Sequence, residues 1–222
     1  LTKFLKSGQK QKLNIRVDDK RRMFTLYGKQ GYGNARGIWQ TIYLESRGDQ
    51  YVDYAQVSPD IDQSTAKFQV ELAAPVKEKT SVKVTLSAGF SGSQMIAAGA
   101  KTAQIEIKIP NAHLWSLEDP FLYNYQIQVG EGVQSDEVKG YFGMRKISVM
   151  NLPGSTIPYI ALNNKPVYLQ LALDQSYHPE GFYTFPTDDF MREEIMRSKR
   201  IGLNGKPFKF YKFNVMVFSF SI

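Results

Sequence analysis

Residues 171–185 read LALDQSYHPEGFYTF. An apolar run from Leu171 to Leu173 gives way to Asp174, Gln175, Tyr177 and His178, and then to a Pro-Glu-Gly turn. A carboxylate, an amide, a phenol and an imidazole this close together can accept and donate hydrogen bonds to hydroxyl groups. Asp174 and Gln175 are the strongest candidates for such contacts, with Tyr177 and His178 beside them. Two readings of Asp174 stand side by side: it binds a substrate hydroxyl, or it caps the turn from strand to loop. His178, placed before Pro179, reads as a surface residue, and Glu180 sits in the turn without a partner carboxylate. Asp188, Asp189, Glu193 and Glu194 fall on a predicted helix that aims them away from the Asp174 end. No catalytic pair is therefore assigned within this chain.

Other chemistries are poorly supplied. The chain has no cysteine, which removes thiolate nucleophiles, disulfides and thiolate metal sites. Its two histidines, His113 and His178, are too few for a histidine-rich metal centre. No metal site and no cofactor are expected. The formal net charge is +7. Much of the excess sits near the two ends, in Lys3, Lys6, Lys10, Lys12, Arg16, Lys20, Arg21 and Arg22 and again in Arg197, Lys199, Arg200, Lys206, Lys209 and Lys212. No helix-turn-helix, zinc-finger or aromatic RNA-binding signature accompanies it, so solvated strand faces are preferred to a nucleic-acid partner. No apolar stretch approaches the roughly 18 residues of a membrane span. The chain starts at Leu1 with no charged and then apolar leader, which reads as a mature or truncated start. Any export signal would lie upstream, so a soluble, periplasmic or secreted location stays open.

The elements that must position the candidate residues are mostly strands. QKLNIRV (11–17) alternates strictly, with Leu13, Ile15 and Val17 on one face, and predicts a half-buried strand. IWQTIYLES (38–46) alternates with bulk on both faces. From Tyr51 the strand-like segments DYAQVSPDI, AKFQVELAA, SVKVTLSAG, AQIEIKIP, LYNYQIQVGEG and DEVKGYFGMRKISV follow at regular spacing, with a Gly/Ser-rich loop expected over 89–99. That rhythm predicts an antiparallel sandwich of immunoglobulin-like size over 51–149. KPVYLQLAL (165–173) is nearly continuous in apolar residues, as a strand buried on both faces would be. The helix PTDDFMREEIMRSKRIGLN then begins at an N-cap Thr187 with Asp188 and Asp189 in its first turn. It ends with Lys199 and Arg200 before a C′ Gly202. A buried strand, a polar loop and a helix make the first unit of a parallel α/β structure, in which ligands sit at the carboxyl ends of strands.

Four stretches, in order, resemble glycoside hydrolase family 2, the group of the β-galactosidases, β-glucuronidases and β-mannosidases. GIWQTIYLE (37–45) is similar to the strand ending that family's sugar-binding-like β-domain. LWSLEDPFLYNYQIQV (114–129) resembles a stretch of its immunoglobulin-like domain, and GYFGMRKISV (140–149) the strand leaving that domain. LNNKPVYLQ (162–170) resembles the opening of its (β/α)8 barrel. Trp115 and Trp39 read as packing residues rather than sugar platforms. The resemblance implies three domains. They are the end of an N-terminal jelly-roll-like β-domain (1–48), an immunoglobulin-like β-sandwich (49–150), and the first strand-helix unit of an incomplete (β/α)8 barrel (151–222).

It also implies that the parent is a retaining β-glycosidase with two catalytic glutamates on later barrel strands, which this chain lacks. Carbohydrate would be the partner of the complete parent, and the chain alone would be inactive. Where large β-galactosidases carry an Asn-Arg-His-Glu-like run, this chain has LDQSYHPEG, which points to another branch. After Asn204 the similarity stops at GKPFKFYKFNVMVFSFSI, a tail expected from a frameshift or premature stop, or from a short variant whose last strand pairs with another chain. A non-catalytic β-sandwich module that binds carbohydrate or protein is the alternative. Open sheet edges around residues 1–45 lead to an expectation of self-association.

Overall fold

The computed structural model describes residues 4–6, 8–18, 20, 37–38, 42–45, 47–48, 50–132, 135–172, 178–181 and 184–204, and the backbone of 206–209 and 216–219. The chain divides into two compact units, one of Leu1–Tyr43 with Leu171–Ser219, the other of Leu44–Gln170 with Phe220–Ile222.

The larger unit holds a two-sheet sandwich. One sheet has the order β1-β2-β5, from β1 (Val52–Asp60), β2 (Thr65–Leu72) and β5 (Thr102–Lys108). The other has the order β4-β3-β6-β7, from β3 (Thr80–Leu86), β4 (Ser91–Ile96), β6 (Tyr123–Val129) and β7 (Asp136–Phe142). All their pairings are antiparallel. The period-2 pattern explains which face is buried. Ala66, Phe68, Val70 and Leu72 of β2 point into the core while Lys67 and Gln69 point out. Val82, Val84 and Leu86 of β3 face them from the other sheet, with Ile105 and Ile107 of β5 completing the layer. Phe68 meets Tyr125 and Phe142 edge-on at 5.3 and 5.8 Å, the orientation aromatic quadrupoles prefer.

The loop expected over 89–99 instead contains β4. Its residues Ser91, Gly92, Ser93 and Gln94 have little strand propensity, but they pair in register with β3. A Cβ on Gly92 would lie 2.7 Å from Ile105 Cγ2, so glycine lets β4 close against β5. The long segment DEVKGYFGMRKISV splits into β7 and β8 (Ile147–Asn151). β8 belongs to a third sheet, of order β10-β9-β8, with β9 (Pro158–Leu162) and β10 (Lys165–Pro166).

Three expectations change. Residues 11–18 form no strand, and Leu13, Ile15 and Val17 are each 49% exposed. Alternation makes a strand only when a ladder partner takes its backbone groups, and no described segment does so here. Among 38–45 the described residues likewise form no strand, and Trp39 lies outside them. Among the described residues of 165–173 only Lys165–Pro166 is strand, and Tyr168 is 69% exposed. Burial on both faces requires neighbours on both sides, and the described ladder for this segment is β9 alone.

In the smaller unit, α1 (Asp188–Arg200) starts where expected, with the Thr187 hydroxyl accepting from the Phe190 N–H at 3.1 Å. It ends at Gly202, φ 88°, with Gly202 N–H donating to Lys199 O and Leu203 N–H to Ser198 O. These two bonds satisfy the last carbonyls in a Schellman motif. The tail pairs with itself: β11 (Lys206–Lys209) runs antiparallel to β12 (Met216–Ser219).

Candidate functional site

Of the four candidate binding residues, Asp174, Gln175 and Tyr177 lie outside the described residues. His178 is described, half-buried, and occupied. Its Nδ1 accepts from the backbone N–H groups of Glu180 and Gly181, each at 3.1 Å. Its ring meets Phe190 of α1 edge-on at 4.6 Å, with Phe185 at 6.1 Å. A ring whose Nδ1 accepts carries its proton on Nε2. His178 therefore closes the Pro-Glu-Gly turn and retains a single donor for any ligand. On α1, Glu193 accepts from Arg197 at 3.1 Å and from Arg200 at 3.3 Å. The Arg197 hydrogen bond is the main reason its carboxyl sits below the usual range. An acid catalyst needs the opposite shift.

The motif residues, by contrast, converge on one junction in the larger unit. Trp115, from LWSLEDP, is 2% exposed. Its N–H donates to Met144 O at 3.0 Å, and Leu114 bridges Met144 in parallel. A Cβ on Gly143 would stand 3.0–3.1 Å from three Trp115 side-chain atoms, so glycine in FGMRKI makes room for the indole. The Arg145 guanidinium lies 4.6 Å over the same ring, a cation–π contact.

The third motif joins through Asn163 of LNNKP. Asn163 and Asn164 form the two-residue turn between β9 and β10, with φ of 50° and 62°. Positive φ at both positions is what a type I′ hairpin requires, and asparagine tolerates it. The Asn163 side chain donates to Trp115 O at 2.9 Å and accepts from Lys146 N–H at 3.0 Å. Its own N–H donates to Lys146 O at 2.8 Å. The Lys146 ammonium in turn donates to Asp62 in the β1–β2 turn, and Asn164 donates to the other oxygen of Asp62 at 2.8 Å. Three stretches distant in sequence thus hold the β9–β10 hairpin onto the sandwich. The Asn-Asn pair between apolar runs was a readable hairpin signal, but its partners were not.

One end of the sandwich carries a polar cleft of about 900 Å³, bordered by Arg47, Gln50, Lys77, Lys79, Glu131 and Asp136 among others. Buried Asp136 accepts from Val52 N–H at 2.9 Å and from Arg47 at 3.4 Å, and Arg47 also pairs with Glu45 at 2.7 Å. This arrangement ties Glu45 and Arg47 to the starts of β1 and β7. Among the described residues no group of side chains could hold a metal ion, and no helix is long and apolar enough to cross a membrane.

Residues 50–145 match the family model for glycosyl hydrolases family 2. A curated β-galactosidase of Staphylococcus xylosus is 24% identical over 166 residues, which is 72% of this chain and 15% of that protein. Among solved structures, a GH2 β-galacturonidase from Eisenbergiella tayi bound to galacturonate superposes with a TM-score of 0.59 and 19% identity, over 74% of this chain and 30% of that one. A β-glucuronidase from Ruminococcus gnavus superposes with a TM-score of 0.55 and 18% identity, over 75% and 27%. The two structural likenesses establish a shared β-rich fold. The chain spans less than a third of the length of each of these proteins.

Proposed function

With a sandwich of the glycosyl hydrolases family 2 type over residues 50–145, we propose that this chain is part of a glycoside hydrolase that acts on β-glycosidic bonds. The family match over the sandwich is the observation that carries this reading. In it, residues 1–48 belong to an N-terminal β-domain, 49–150 are the sandwich, and 151–222 begin a barrel. Asp174, Gln175, Tyr177 and His178 form one wall of the substrate site and bind sugar hydroxyls, His178 through its Nε2–H. The junction around Trp115 and Asn163 sets where the chain leaves the sandwich.

A retaining mechanism needs two carboxyl groups about 5 Å apart, one as nucleophile and one as acid/base. On α1, Glu193 is held below the usual carboxyl range by arginines, which does not suit the acid role. In this reading both catalytic groups come from later barrel strands of a longer protein, as the family resemblance implies, and carbohydrate is the partner of that longer protein.

Two experiments test this reading. The purified chain, given a panel of chromogenic β-glycosides, is expected to release no chromophore. Turnover that disappears in Asp174→Asn would place the chemistry inside this chain and overturn that part. In the second, residues 50–166 replace the matching segment of the Staphylococcus xylosus β-galactosidase. Retained activity supports a scaffold role. A folded but inactive chimera in which the sandwich binds oligosaccharides by itself favours the alternative, a non-catalytic carbohydrate-binding module.

A further inference from the structure

The turn that His178 closes is held by an unusual acceptor. Nδ1 takes the backbone N–H groups of both Glu180 and Gly181, each at 3.1 Å. Short turns are more often closed this way by the side-chain oxygen of Asn, Asp, Ser or Thr. The amide and hydroxyl oxygens keep their lone pairs across the neutral and mildly acid range. An imidazole nitrogen does not, because the proton that charges the ring occupies the lone pair that was accepting. The two donors also fix which way the ring faces. A ring turned over would set a carbon, Cδ2, against both N–H groups.

The surroundings of the ring offer no substitute partner. It is half-buried, edge-on to Phe190 at 4.6 Å and with Phe185 at 6.1 Å, and both of these are uncharged. The carboxylates on the elements packed against it are Glu180 in the turn itself and, on α1, Asp188 and Asp189 beside Phe190. Glu193 and Glu194 follow one helical turn further along. Glu193 is engaged by Arg197 and Arg200. Among the described residues none of these carboxylates pairs with His178. The positive end of the helix dipole opposes a cation at this place, and Asp188 and Asp189 offset that effect.

We propose that His178 is a pH-sensitive latch, which in its neutral form closes the 178–181 turn and on protonation at Nδ1 opens it. Protonation would set an N–H against two backbone N–H groups, three donors with no acceptor among them. In sequence this turn joins the candidate residues at 174–177 to α1. Opening it would therefore act beside the assigned substrate wall. That consequence rests on the glycosidase reading, whereas the latch itself does not.

The chain has only two histidines, His113 and His178. A histidine side chain in water gains its proton at about pH 6.5, so the interval from pH 8 to pH 5 addresses these two side chains first. His113 lies in the other compact unit, beside Asp119. Hydrogen exchange of the full chain, read over 178–181 and corrected for the intrinsic pH dependence of exchange, is the test. Protection is expected to fall about tenfold from pH 8 to pH 5, the scale of one to two lost hydrogen bonds. His178→Asn puts an oxygen near the place of Nδ1 and cannot take up the proton, so it should stay protected at both pH values. His178→Ala should lack the protection already at pH 8. Equal protection of the unmodified chain at pH 8 and pH 5, or the same fall in His178→Asn, would overturn the proposal. Either result would leave the glycosidase reading to its own experiments.

Discussion

Asn163 carries more of the structure than His178, the described member of the residues singled out for chemistry. It holds a backbone conformation with φ 50° and bonds two other motifs through its side chain. Asn163→Ala removes both side-chain bonds and places a less tolerant residue in the left-handed region, for a loss of about 2–4 kcal/mol. Asn163→Gly loses the bonds but not the backbone tolerance, so it should cost less. Urea unfolding of the two variants followed by tryptophan fluorescence checks the order, and equal losses would remove the backbone from the account. Its neighbour Asp62 makes a pH prediction. The Lys146 hydrogen bond first, and the Asn164 hydrogen bond second, hold its carboxyl below the usual range. A lowered carboxyl favours the folded state above the unfolded-state pKa, and that contribution fades as pH falls through the folded one. Thermal melts from pH 6 down to pH 2 should therefore converge for the native chain and Asp62→Asn at the acid end. They should separate above about pH 4.

At the scale of elements, α1 stands on its ends. It buries no residue, and it begins at the Thr187 cap and finishes in the Gly202 motif. Such a helix depends on local terms more than a packed one does. Thr187→Ala is expected to cost about 1 kcal/mol, or roughly fivefold in amide exchange over the helix. Hydrogen exchange read by mass spectrometry over 188–200 checks this, and unchanged protection would mean that packing, not the cap, holds the helix. The sandwich strands behave differently. Phe68, Val70 and Ile105 are buried from both sheets, so the propensity of any one residue matters little there. That is how the Ser/Gly-rich β4 persists as a strand.

For the whole molecule, the contrast is between a stitched sandwich and an N-terminal segment without ladder partners among the described residues. Lys10, Lys12 and Arg16 lie in exposed, non-strand chain, whereas Lys67 and Lys83 sit within paired strands. Proteases need several residues of locally open backbone, so trypsin should cut at 10–16 well before it enters 52–162. Mass spectrometry of a digestion time course reads this directly. Early cuts at Lys67 or Lys83 would show the sandwich to be the weaker part. In the longer protein proposed above, added strands would be expected to protect the 10–16 sites.

The sequence by itself determined the sandwich's inward residues and the helix limits. Ala66–Leu72 and Val82–Leu86 alternate at the period of a pleated strand, and Thr187 and Gly202 satisfy helix ends with their own chemistry. These are local signals, carried by neighbours in the chain. The candidate wall was legible as residue types. That His178 spends its Nδ1 on the turn, however, depends on how that turn closes. The tertiary structure alone decided that 11–17, despite perfect alternation, is not a strand, and that 91–96, with Ile96 as its one strong strand former, is one. It alone decided that Trp115, Arg145 and Asn163 meet. The reason is common to all three: a strand's ladder and a buried polar network are completed by groups far away in sequence, and residue spacing along the chain does not encode which distant groups arrive.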